Sequence, residues 1–455
     1  MQAEKKDRKN IKRDLSDFLK KTTIHGLYSI RFAKNNFLRI IWIIFLLISA
    51  SLCGYSIMKS INDYLSFEVM TKIRDINEIK SIFPTVSICN RNMFTNKYAF
   101  EYLKNYSESR NLKEIIINPK FNNLRTNSFL RDAISNFIYF EENIHDRKKL
   151  SHSIDEILIS CSFNHKYCDH TDFEWFFHFT YGNCFKFNPS IRHGDETIIP
   201  GKTFGLSIEI YVGVYHELDA IRDTRGISVI ISNRSNFIND LEGVFLFTST
   251  ENDIRVKRKF SELLPYPFSN CQENFDDTSG ISNFIMTNNY SYSYRLCMSI
   301  CLQIQIADIC KCFDSKSFPI QNYRVCYEEK DFLCLDNIYK NISKLISLNE
   351  NCYSKCPFEC AKSDLITSIA ISRYPASVHY AYSLLEIIKK INSKIEIDNV
   401  WDNVLKFNVF YDTLAYTSIS ETPIMNTISI LSNIGGTLGL FLGKKFNKLI
   451  FFSSP

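Results

Sequence analysis

The chain is 455 residues long, 45% hydrophobic and 23% charged, with 14 Gly and 11 Pro, which excludes a disordered or collagen-like polymer and supplies material for a packed core. Its formal net charge of +5 is too small to point to nucleic acid. The charge is unevenly placed: residues 1–39 carry eleven Lys/Arg against four Asp/Glu, residues 443–455 add three lysines, and the stretch between them has a net charge of −5.

The basic segment 1–39 leads into Ile40–Met58, 19 residues without a charge. At 1.5 Å per residue such a helix is about 28 Å long, close to the hydrocarbon thickness of a bilayer. A signal peptide would begin nearer the N-terminus, and Trp42 and Tyr55 sit near the ends of the run as interfacial aromatics do. Ile424–Leu442 is a second uncharged run of 19, richer in small residues, with Gly435, Gly439 and Gly443 at intervals of four. Two spans with basic flanks place both termini in the cytosol by the positive-inside rule. Residues 59–423 then lie outside the cell, and 443–455 form a short basic tail.

Within that middle stretch, Leu206, Ile208, Ile210, Val212 and Val214 alternate as a half-buried strand does. Ile227–Ile231, Val244–Phe247 and Phe407–Tyr416 read the same way. Helical spacing appears at Leu150, Ile154, Ile157 and Leu158, and again at Leu384, Leu385, Ile388 and Ile391. Early and late strands around inserted helices describe an α+β domain whose sheet is closed by the residues leading into each span.

Of 15 cysteines, Cys53 falls in the first span and the other fourteen lie between Cys89 and Cys360. An even number in an oxidising compartment reads as seven disulfides. Sequons at Asn105, Asn233, Asn289 and Asn341 fall in the same stretch, and none falls in either tail. Nine cysteines between Cys297 and Cys360 invite a zinc reading, but structural zinc favours paired Cys-x2–4-Cys sets in a reducing compartment. Enzyme signatures are absent: there is no His-Glu-x-x-His or Gly-x-Ser-x-Gly, and Gly439–Lys445 imitates a phosphate loop poorly. No cofactor and no metal site is expected, and the scattered histidines read as ordinary core or surface positions.

Four motifs resemble the degenerin/epithelial sodium channel family, which includes acid-sensing and peptide-gated channels. Thr23-Ile24-His25-Gly26 looks like its cytosolic His-Gly gating motif, and Phe83-Pro84-Thr85-Val86-Ser87-Ile88-Cys89-Asn90 like its signature after the first span. Tyr181-Gly182-Asn183-Cys184-Phe185-Lys186-Phe187-Asn188 is similar to the family's Tyr-Gly-x-Cys-x-x-Phe-Asn. Leu431-Ser432-Asn433-Ile434-Gly435-Gly436 followed by Gly439-Leu440-Phe441-Leu442-Gly443 resembles the start of its pore helix. The resemblance runs from about Phe18 to Gly443.

The resemblance implies a gated, amiloride-sensitive sodium channel subunit of the plasma membrane. Its partners would be membrane lipid, permeant sodium ions, and identical or related subunits in a homo- or hetero-trimer. The ectodomain would have a β-sheet palm with a helical finger and thumb. The implied disulfides are Cys89–Cys184, Cys161–Cys168, Cys271–Cys360, Cys297–Cys356, Cys301–Cys352, Cys310–Cys334 and Cys312–Cys326. Phe67 and Phe268 fall where the family places an aromatic contact coupling thumb to pore. Ser432, Gly435, Gly436, Gly439 and Gly443 would narrow the pore axis without plugging it.

One departure stands out. The family's Gly-x-Ser filter is replaced by Gly443-Lys444-Lys445. Lysines there would raise a barrier to cations, or snorkel to the headgroups if the span ends at Leu442. A truncated or spliced product, an incorrect gene end, and a non-conducting subunit on the same scaffold all fit. The acidic pairs Glu141-Glu142, Asp155-Glu156 and Glu328-Glu329 would titrate upward if crowded and are otherwise a solvated face.

Overall fold

A computed structural model describes residues 35–109, 144–178, 180–189, 196–213, 224–233, 243–272, 291–314, 323–326, 328–391 and 393–442, with isolated positions between. The apolar run expected as the first span lies within a 30-residue helix, α1 (Asn36–Leu65), followed directly by β1 (Val69–Ile76). Then come β2 (Thr85–Asn90), α2 (Lys97–Ser109), β3 (Leu158–Phe163), β4 (Lys166–Tyr167), β5 (Phe173–His178) and β6 (Gly182–Phe187). Next are β7 (Leu206–Tyr211), β8 (Ile227–Ser232), β9 (Gly243–Leu246) and β10 (Thr250–Glu262). Three helices follow, α3 (Tyr294–Cys310), α4 (Glu329–Lys340) and α5 (Ile342–Tyr353). The chain continues through β11 (Ala361–Arg373), α6 (Val378–Ile388), β12 (Val404–Pro423) and α7 (Thr427–Leu442).

The described chain divides into two compact units. The smaller takes the residues up to Lys72, the four residues Tyr266–Ser269, and those from Glu421 onward. The larger takes Ile73–Pro265 and Asn270–Ser420. Tyr266–Ser269 groups with the smaller, helical unit rather than with the strands that flank it.

Two sheets organise the larger unit. One has seven strands, with β11-β10-β12-β7-β3-β4 in order and β1 also paired to β12. Its β10–β12 pairing is parallel, while β11–β10, β12–β7, β7–β3 and β3–β4 are antiparallel. The other is a five-stranded antiparallel sheet in the order β9-β8-β2-β6-β5. Their facing apolar residues merge into one core. Val86, Ile88, Phe185, Phe187 and Val229 come from the five-stranded sheet, and Ile208, Ile210, Ile254, Phe407 and Val409 from the other. The alternation read in Leu206, Ile208 and Ile210 is the core-facing side of β7. Strand β8 is central, and all six of its residues are buried, so its apolar run reflects two covered faces.

The helical spacing at 150–158 becomes something shorter. A capping box of Ser153 and Glu156 starts a single turn, Ile154–Ile157, and Leu158 then opens β3 by pairing with Ile210. Strand pairing overrides the local helical pattern there. At the later site α6 buries Ala381, Leu384, Leu385 and Ile388, and Ile391 packs just beyond its end.

Seven disulfides join the fourteen cysteines: Cys89–Cys184, Cys161–Cys168, Cys271–Cys360, Cys297–Cys356, Cys301–Cys352, Cys310–Cys334 and Cys312–Cys326. Cys89 and Cys184 stand directly opposite on β2 and β6, with Cα atoms 4.4 Å apart. Helix α3 presents Cys297 and Cys301 one turn apart to Cys356 and Cys352, so the two bonds form adjacent rungs. Loops of 59 and 51 residues closed this way each restrict the unfolded chain by about 2–4 kcal/mol. Among the described residues no group of three or more His, Cys, Asp and Glu is placed to hold a metal.

Candidate functional site

The candidate site is the helical unit. Most of α1 faces outward: Ile40, Ile44, Leu47, Ile48 and Leu52 are exposed, as lipid-facing side chains would be, and Ser49 and Cys53 are buried. The Ser49 hydroxyl donates to the carbonyl oxygen of Phe441 in α7 at 2.9 Å. At the other end of the pair, the amide of Ile424 donates to the Glu68 carbonyl at 3.0 Å. These two links set α1 and α7 antiparallel.

Helix α7 starts where Asn426 caps it, accepting from the Ser429 amide at 2.7 Å and the Ser429 hydroxyl at 2.8 Å. It is three residues shorter at its start than the apolar run of the sequence. Its sixteen described residues span about 24 Å, and the residues after Leu442 lie outside the described ones. Among the described residues α1 alone is long and apolar enough to cross a membrane.

Ser432, Gly435, Gly436 and Gly439 are exposed on α7. A Cβ built on any of the three glycines would meet nothing within 4 Å. The small-residue stripe is therefore not what closes α7 against α1. Gly443, Lys444 and Lys445 lie outside the described residues, as do His25 and Gly26.

Where α1 ends, Phe67 takes a left-handed backbone conformation, φ 50°, which costs a non-glycine residue roughly 1–2 kcal/mol. Its ring lies edge-on to Phe268 with centroids 5.6 Å apart and planes at 89°. Tyr64, one turn earlier, approaches the same ring at 6.2 Å. The two phenylalanines singled out in the sequence thus touch inside one unit, and a turn with φ > 0 aims one of them.

The other residues singled out are dispersed. Asn105 and Asn341 are exposed, whereas Asn233 is half-buried and its amide donates to the Ser363 hydroxyl at 3.1 Å. Asn289 and the Glu141-Glu142 pair lie outside the described residues. One carboxylate of each remaining pair is held locally. Glu156 accepts from the Ser153 amide at 2.8 Å, and Glu328 caps α4 while pairing with Lys330 at 2.6 Å.

A charge network on the larger sheet escaped the sequence reading. Lys202 reaches Glu251 at 2.8 Å and Asp253 at 2.9 Å, and the Asn408 amide donates to the same two carboxylates. Burial pushes Glu251 up, but the hydrogen bonds from Lys202 and Asn408 and the charges of Lys406 and Lys202 outweigh it and hold the carboxyl below its ordinary range. These residues come from three separated segments, and no local spacing connects them.

The family model described as amiloride-sensitive sodium channel matches residues 18–444, nearly the whole chain. The chain belongs to the amiloride-sensitive sodium channel family. That family is one of ion channels rather than enzymes. The chain is 25% identical over 308 residues to the beta subunit of the epithelial sodium channel of Mus musculus, covering 67% of this chain and 48% of that one. It is 27% identical over 315 residues to the gamma-2 subunit of Xenopus laevis, covering 68% and 46%. The human beta subunit is 24% identical over 309 residues, covering 67% and 48%. The chain thus spans about half the length of the curated relatives it matches.

Proposed function

We propose that the chain is one subunit of a trimeric, gated, sodium-selective cation channel of the plasma membrane. The family match across residues 18–444 carries this reading. In it α1 and the segment that includes α7 both span the bilayer, residues 1–39 and the C-terminal tail are cytosolic, and the cystine-rich middle is extracellular. Three copies of α7 turn Ser432, Gly435, Gly436 and Gly439 toward a common axis, where carbonyls and small side chains replace part of the water around sodium. The open space beside each glycine supports that role, because it leaves the stripe free for an axis or a neighbouring subunit. The Phe67–Phe268 contact passes movement of the extracellular part to α1, and His25-Gly26 acts on the cytosolic side. Asn105 and Asn341, both exposed, carry glycans on this reading, with Asn233 and Asn289 as further sequons.

A second reading is favoured by Gly443-Lys444-Lys445: the subunit reaches the surface, assembles with related subunits, and does not itself conduct. Current recordings separate the two. Cells expressing the full chain should show an inward sodium current blocked by amiloride. If the chain modulates instead, that current appears only with a conducting relative or after Lys445→Ser restores Gly-x-Ser. Absence of any effect on sodium current in all three settings, with the protein at the surface, would overturn both readings.

A further inference from the structure

Strand β12 is 20 residues long, but its pairing with β10 is broken once. Val256 pairs with Tyr411 and Arg258 with Tyr416, so Asp412–Ala415 bulge opposite the single residue Lys257. Above the bulge, Val404–Tyr411 is pinned by burial, with seven of eight residues inside. Below it, Ala415–Pro423 is half-buried throughout, so burial alone specifies register weakly there.

Arg258 sits at that break, its side chain 10% exposed. One guanidinium nitrogen donates to the Leu414 carbonyl at 2.6 Å, inside the bulge. Another pairs with Glu78 at 2.8 Å. The guanidinium carbon also lies 5.3 Å from the Tyr411 ring centroid and 5.5 Å from that of Tyr416, the residues that bracket the bulge. Glu78 lies two residues beyond β1, the strand that continues from α1, and β12 runs on to α7. One side chain therefore holds both segments that connect the sheet to the two helices. Thr417, just below the bulge, adds a bond to Asp75 of β1 at 2.8 Å.

We propose that Arg258 is a positioning residue for gating: its guanidinium fixes the four-residue bulge of β12 to the segment following β1, and its release lets β12 shift register below the bulge. The gating part of this proposal rests on the channel reading above; the latch itself does not. A bond from a charged donor to a buried carbonyl, an ion pair and two ring contacts converge on one group.

Amide hydrogen exchange on the full chain in lipid nanodiscs tests the latch without any current. Arg258→Gln should speed exchange of residues 413–420 about ten-fold while leaving 404–410 unchanged. Arg258→Lys, which keeps the charge but not the planar fork, should fall between parent and Arg258→Gln. Glu78→Gln, a milder change retained in case Arg258→Gln fails to fold, should give a smaller rise over the same residues. Unchanged exchange at 413–420 in the variants that fold would overturn the latch. The gating part is read from current decay and open probability at matched surface amount, and unchanged kinetics in a conducting parent with faster exchange would overturn it. A parent that conducts in no setting removes the channel reading and with it the gating part, while exchange alone still decides the latch.

Discussion

Ser49 and Phe441 are 392 residues apart in sequence and joined by a 2.9 Å hydrogen bond from hydroxyl to backbone carbonyl. Ser49 is one of two buried positions on α1, so this is where the helix approaches α7. Ser49→Ala keeps the close approach and loses one bond, about 0.6 kcal/mol for a polar contact between helices in lipid. Ser49→Leu adds volume at the approach and should cost more. Thermal unfolding of the full chain in detergent should rank parent, Ala and Leu in that order.

Phe67 and Phe268 should behave as a coupled pair. A double-mutant cycle with Phe67→Ala and Phe268→Ala should give about 0.5–1.5 kcal/mol of non-additivity in unfolding free energy. Phe67→Gly should be less destabilising than Phe67→Ala, because glycine accepts φ 50° without strain. Additive single changes would show that the edge-on rings contribute no mutual energy.

The disulfides should reduce in order of access. Cys310 and Cys334 are only partly buried, whereas Cys89 and Cys184 are fully enclosed between β2 and β6. Stepwise reduction with differential alkylation should label the first pair early and the second late. Removing the Cys301–Cys352 rung should cost about 2–5 kcal/mol and open residues 291–360 to protease.

Two pH windows follow from the charged groups. Burial lowers the pKa of His152 below 6.5 despite the Glu156 charge, and its Nδ1 is buried without a partner among the described residues. The unfolded chain takes up that proton first, so stability falls as pH drops below 6.5, and His152→Leu should flatten this part of the curve. Glu251 is depressed instead, so its contribution is present above 4.5 and lost as pH falls further. Glu251→Gln should remove that second decline. Melting curves of the full chain across pH separate the two.

Much of this architecture was legible because burial writes itself into the sequence. Leu206, Ile208 and Ile210 alternate since β7 covers one face with core, and α1 is apolar all round since little of it packs against protein. Strands β10 and β11 were not legible. The run Asp253-Ile254-Arg255-Val256-Lys257-Arg258-Lys259 buries only Ile254 and Val256 on the core side, and β11 is largely exposed, so neither carries a hydrophobic signature. Disulfide partners were readable from resemblance alone, because cysteine spacing does not encode pairing. The aromatic contact at Phe67 depends on a left-handed turn that no glycine announces. In the sequence Arg258 is one cation among Arg255, Lys257 and Lys259, and its bulge, carboxylate and two rings come together only through the pairing of β10 with β12.

On the proposed channel reading, the cystine-bearing middle of the chain lies outside the cell, with two membrane spans flanking it and both ends in the cytosol. Protease added to intact cells expressing a chain tagged at both termini tests this most directly. The expected result is cleavage between residues 73 and 420 with both tags spared until the membrane is permeabilised. Loss of either tag from intact cells, or a middle segment that stays protected, would contradict it.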